Sequence, residues 1–204
     1  MDTEGRRRLQ TSIVAGICFL LVTVMMETFF RIHYQSSTWP QFYFYFAFNA
    51  LIYIAAAVSL VWHVRGYKVI STVYNLASLR WMVGIFSIGV VAAYAVSLVR
   101  LYRGTGLVEA PDVTTSFVIR GLGGLFVLVH LLAATGIALR ILFARKSLPP
   151  GAFFVGCIGF ALVVYLIVSL LTSMLGVPPP HLSAFLEALF VIAGIFFFYS
   201  AAKQ

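Results

Sequence analysis

Charge is what this chain has least of. Only 10% of its 204 residues are Asp, Glu, Lys or Arg, against about 25% in an ordinary soluble domain. Cysteine is nearly absent too. Cys18 and Cys157 match no Cys-x-x-Cys or metal-ligand spacing, so neither a disulfide framework nor a metal site is expected. Both fall inside apolar runs and read as small packing residues. No Gly-x-Ser-x-Gly, His-Glu-x-x-His, phosphate loop or dinucleotide fingerprint occurs, and no cofactor is implied. No Asn-x-Ser/Thr sequon occurs, and no loop is long enough for a separate soluble domain.

What the chain has is apolar length. Hydrophobic residues make up 62% of it, and the mean hydropathy is +1.01. Six segments approach the ~20 residues that a bilayer core of about 30 Å requires. They are 12–30, 42–63, 81–101, 117–143, 152–174 and 182–202. Transmembrane β-strands would alternate over ~10 residues, and these runs do not. The expected fold is all-α: one integral membrane domain over 1–204, a polytopic bundle of six spans in three hairpins. Arg6, Arg7 and Arg8 precede the first run as in a secretory signal. That run is too long for one, and no small-residue cleavage site follows, so it reads as a retained span.

The net charge of +8 points to topology before nucleic acid, which is not an expected partner. Six spans divide the 14 basic residues unequally, with ten on the side of the termini and four (Arg31, Arg100, Arg103 and Arg120) on the other. The positive-inside bias therefore puts both termini in the cytosol. Anionic membrane lipid is the expected partner of the basic side. Trp39, Trp62 and Trp81 fall at predicted span ends, as an aromatic belt would place them.

Two stretches hint at an internal parallel repeat. "VAGICFLLV" (14–22) echoes "VGCIGFALV" (155–163), and "NALIYIA" (49–55) echoes "EALFVIA" (187–193). The second match makes Asn49 and Glu187 equivalent positions near the start of an even-numbered helix. Small residues recur along the spans and permit close helix contact, but no strict Gly-x-x-x-Gly singles out a dimer face.

Ionisable groups inside a bilayer cost about 2.5–3.5 kcal/mol each on insertion scales, so they normally face the bundle or a wet cavity. A helical rise of ~1.5 Å per residue places Glu27 about 22 Å from the inner boundary. Counting inward from the outer boundary puts Glu187 at about 8 Å, Asn49 at about 10 Å and Arg120 at about 5 Å. These four define a candidate outer-leaflet pocket. His130 is expected deeper, near the midplane. Glu27 also has a structural reading, because Arg31 stands at i+4 in "MMETFFRIH". Glu187 has no such partner on its own helix. His130 reads first as hydrogen-bonded to a neighbouring helix. With His33, His63 and His181 all near the surfaces, no bis-histidine haem site is expected.

The segment "RIHYQSSTWPQFYFYFAFNALIYIAAAVSLVWH" (31–63) resembles part of the fungal lipid-translocating exporter family, multi-pass proteins linked to sterol-toxin resistance. Arg31 and Tyr34 match that family's Arg-x-x-Tyr-Arg element, with Gln35 in place of its second arginine. Tyr45 and Asn49 occupy its aromatic–aspartate region, and Val64 follows His63 where the family has proline. The resemblance implies a lipid-handling protein, in a family that usually has one span more.

Three functions are expected on these grounds. The first is binding or translocation of a lipid-like or amphipathic small molecule, with Glu27, Asn49, Arg120, His130 and Glu187 lining the site. The second is a membrane-embedded enzyme that uses Glu187 or Glu27 as general acid, in the manner of terpene cyclases or lipid-modifying enzymes. The third is a scaffold or complex subunit with a membrane-protein partner.

Overall fold

The computed structural model describes the backbone of residues 1–33, 39–103, 113–174 and 183–204, and the side chains of 1–25, 46–100, 118–119, 121–172 and 185–204. Six helices account for nearly all of it: α1 (Thr3–His33), α2 (Trp39–Val73), α3 (Ala77–Arg103), α4 (Val113–Phe143), α5 (Ala152–Met174) and α6 (Ser183–Ala202). All six are long and apolar enough to cross a membrane. The chain is thus a multi-pass helical membrane protein.

Each helix packs on its chain neighbours, and α1 closes against α6, so the bundle is a ring. The sorting of residues follows from the solvent. A bilayer is as apolar as a leucine side chain, so burial selects small and polar residues as much as large apolar ones. Buried positions on α1 are Gly5, Leu9, Ser12, Gly16 and Phe19, and on α2 Asn49, Ile52, Ala56, Leu60 and His63. Both sets repeat at three- and four-residue steps, which is one face of a helix. The opposite faces carry Leu21, Leu51, Ile54, Ile88, Phe160 and Leu170, all exposed to the hydrocarbon. Cys18 and Cys157 belong to that outer face. This corrects the expectation that they pack inside.

Helix ends differ from the sequence expectation where the helix outruns its apolar stretch. Helix α1 starts at Thr3, so the three arginines are helical, and Arg8 pairs with Glu4 one turn earlier. Helix α2 continues ten residues past His63, through a stretch expected to be loop. The reason is visible in "HVRGYKVIST". Val64, Tyr67 and Ile70 are fully buried, while Arg65 and Lys68 are exposed. That is an amphipathic helix projecting beyond the apolar span. The connection to α3 is then only Tyr74–Leu76. Asn75 adopts φ 54°, the left-handed region that asparagine tolerates, and the Leu76 amide donates to the Ser71 carbonyl at 2.9 Å.

His63, expected near the inner boundary, is turned into the bundle. It is fully buried, and its Nδ1 bonds the Ser12 carbonyl of α1 at 2.9 Å. The Tyr67 and Phe198 rings meet in a T-shaped contact at 4.7 Å between centroids, and Tyr67 stacks on Phe190 at 5.6 Å. Gly194 makes this packing possible, since a Cβ there would lie 2.6 Å from His63 Nε2 and 2.8 Å from the Tyr67 oxygen. Neither of those two atoms has a hydrogen-bond partner among the described residues. Gly194→Ala should therefore cost about 1–3 kcal/mol by overpacking, read as a lowered melting temperature of the detergent-solubilised protein. Tyr67→Phe should cost less than ~0.5 kcal/mol, because its hydroxyl has no bond to lose, and should partly rescue Gly194→Ala.

Candidate functional site

Of the five site residues expected from sequence, the structure brings two together. His130 on α4 and Glu187 on α6 face each other, with Nε2 and Oε1 3.6 Å apart. Their side chains are only 8% and 16% exposed. Asn49 is fully buried on α2, one helical turn before Tyr53. The side chains of Glu27 and Arg120 lie outside the described residues, as do those of residues 31–45, the first part of the 31–63 resemblance.

The meeting of His130 with Glu187 corrects the depth estimate that separated them. His130 precedes the end of α4 by thirteen residues, and Glu187 precedes the end of α6 by fifteen. Counted from the face that carries the termini, the two are level. Helix α4 simply extends further toward the opposite face, so a count from that side misplaces His130.

Close backbone approach sets the geometry. Gly89 of α3 lies against His130, and a Cβ there would come within 3.0 Å of the His130 amide nitrogen. Phe86, one turn before Gly89, meets the imidazole edge-on at 5.8 Å and reaches Phe190 of α6 at 6.2 Å. His130 Nδ1 sits 3.2 Å from the Phe126 carbonyl, one turn earlier on α4. A carbonyl only accepts, so Nδ1 carries the proton and Nε2 faces Glu187. The pair then has two arrangements of zero net charge. Either a carboxylic acid faces a neutral imidazole, or a carboxylate faces an imidazolium. Both avoid the isolated charge that a bilayer interior penalises, and moving one proton interconverts them.

Two tyrosines complete the arrangement, and sequence reasoning passed over both. Tyr94 of α3 is within electrostatic reach of Glu187. Its ring makes an edge contact with Tyr53 of α2, at 5.9 Å between centroids. The available signal was the tyrosine in "AAYAVS" (92–97), one large amphipathic ring among small residues in mid-span. Both tyrosines also line a groove of about 300 Å³ between α2 and α3, which is otherwise walled by apolar side chains such as Val58, Val61 and Val91. Ile54, Val58 and Val91 belong to the exposed outer face of the bundle, so the groove opens sideways into the bilayer.

Among the described residues no group of three or more His, Cys, Asp or Glu is placed to hold a metal ion. No protein-family model, curated protein or solved structure matches this chain. The fold and the site together define a multi-pass helical membrane protein with a carboxyl–imidazole pair inside its bundle.

A double-mutant cycle tests that pair. Glu187→Leu and His130→Leu should each destabilise the protein more when made alone than when combined, because one change leaves the partner buried and unmatched. The expected coupling is about 1–3 kcal/mol in thermal or denaturant unfolding. Purely additive losses would mean that the two groups ignore each other.

Proposed function

We propose that this protein binds an amphipathic, lipid-like molecule that enters sideways from the bilayer. Its apolar body lies in the groove between α2 and α3. Its polar end lies against Tyr94, with Glu187 and His130 behind. The observation that carries this reading is the groove itself, an apolar cleft with Tyr53 and Tyr94 in its wall that opens sideways through the exposed Ile54, Val58 and Val91. Ligand sites are mostly apolar with a few convergent polar groups, and this site has that composition. The excess of basic residues on the face of the termini supports a cytosolic position for that face, and with that orientation the pair is nearer the outer leaflet. The local resemblance at 31–63 to lipid-translocating exporters points to the same class of ligand.

The groove supports binding. Movement of the ligand between leaflets is the further step that the resemblance adds. The pair also has the groups for general acid–base chemistry, a carboxyl and an imidazole 3.6 Å apart. A substrate altered by the protein, rather than returned intact, would favour that second reading.

Blocking the groove separates function from folding. Ala95 lines the groove and is exposed on the outer face, so Ala95→Phe fills the groove without disturbing the core. Lipid extracts of the purified protein, compared by mass spectrometry, should show a molecule enriched on wild type and at least ~10-fold depleted on Ala95→Phe. That loss corresponds to about 1.4 kcal/mol. Glu187→Gln should deplete the same molecule with little loss of fold. An unchanged lipid profile in both variants, or enrichment of a stoichiometric protein partner in place of lipid, would overturn the reading.

A further inference from the structure

A second cavity, of about 640 Å³, opens at the face that carries the termini, between the first turns of α1, the last turns of α2 and the start of α3. Its lining includes four basic residues, Arg8, Arg65, Lys68 and Arg80, and two acidic ones, Asp2 and Glu4. The acids are already engaged. Asp2 accepts the Gly5 amide at 2.8 Å, and Glu4 pairs with Arg8. Arg65, Lys68 and Arg80 have no carboxylate partner among the described residues.

These three cations are arranged, not scattered. Arg65, Lys68 and Thr72 stand at i, i+3 and i+7 on α2, which is one helical face. Thr72 Oγ1 donates to the Lys68 carbonyl at 3.1 Å and accepts from the Arg80 guanidinium at 3.2 Å. A second bond runs from Arg80 Nε to Ser71 Oγ, also 3.2 Å. Arg80 is thereby carried from α3 onto the basic face of α2 by two neutral hydroxyls, which leave its charge uncompensated. The Arg65 guanidinium lies over the Trp62 ring, 5.1 Å from its centroid. Tryptophan is a residue of the headgroup level. Val69, Val73 and Val83 add apolar surface to the wall, beside the hydroxyls of Thr11, Ser12 and Ser87.

We propose that this cleft binds a phosphate-bearing anion at the membrane surface. Three converging cations match the multiple charge and acceptor oxygens of a phosphate, and a guanidinium with fixed orientation suits its geometry. The source on which the apolar wall and Trp62 bear is an anionic phospholipid, with its phosphate in the cleft. Trp62 also lines the α2–α3 groove, so the cleft and the groove share a wall residue along which an acyl chain of that lipid would lie. A soluble phosphate ester is the other source of the same chemistry. The cleft does not depend on the ligand reading of the groove, because its charges belong to a different layer from Glu187 and His130.

The full-length protein in phosphatidylcholine nanodiscs, with and without added phosphatidic acid, tests this by native mass spectrometry of retained lipid. Wild type should retain phosphatidic acid in preference to phosphatidylcholine. Lys68→Gln and Arg80→Gln should each weaken retention about fivefold. Arg145→Gln, which removes an exposed cation in the α4–α5 connection, should leave it unchanged. Lys68 is exposed, so its variant tests charge even where Arg80→Gln loosens the α2–α3 turn. Glycerol 3-phosphate added to phosphatidylcholine nanodiscs forms the second arm. Binding there that Lys68→Gln weakens, without a preference for phosphatidic acid, supports the same site with a soluble ligand. Absence of both binding modes, or an equal loss in Arg145→Gln, overturns the proposal.

Discussion

A bilayer interior offers no water to an unpaired polar group, and this constraint organises the bundle. Hydrophobicity cannot decide which face of a helix turns inward when both faces and the solvent are apolar. Polar and small residues decide it instead. In α1 the decision falls to Ser12, whose carbonyl meets His63. In α2 it falls to Asn49 and His63, both fully buried, and in α4 and α6 to His130 and Glu187. The large aromatics then fill what these contacts leave. Phe190 touches Tyr67 and Phe86, so one ring of α6 ties α2 to α3 across the bundle.

The same constraint shapes the site. A lone carboxyl on α6 would be an expense without return, but opposite His130 it becomes part of a unit that keeps zero net charge in either proton arrangement. Such a unit tolerates a neutral or polar group brought beside it by a ligand, because its proton can shift to match. Tyr94 lines the groove, offering a ring to apolar ligand atoms and a hydroxyl to polar ones. The proposed lateral entry rests on the groove's position on the outer face, where a bilayer molecule would arrive without crossing a headgroup layer. The basic cleft at the face of the termini meets this route at Trp62.

The fold was legible because six runs of the right length leave few alternatives. Helices α5 and α6 begin within a residue or two of expectation because apolar run and helix coincide there. Helix α2 outran expectation because Arg65 and Lys68 look like the start of a loop. The spacing of Val64, Tyr67 and Ile70 shows that the helix continues. Glu187 and His130 were legible as polar groups inside spans. Their pairing was not, because helices of unequal length share one end and not the other. Tyr94 was hidden by its small neighbours, and only the packing of α3 against α2 reveals that it lines the groove.

The central claim is that a bilayer molecule occupies the groove beside Tyr94. A photoreactive amino acid placed at Val91, within the groove wall, tests this most directly when irradiated in native membranes and followed by mass spectrometry of the adduct. The account predicts an adduct with the mass of a lipid or lipid-like small molecule on the intact chain. Crosslinking of Val91 to a second polypeptide, with no small-molecule adduct, would contradict it.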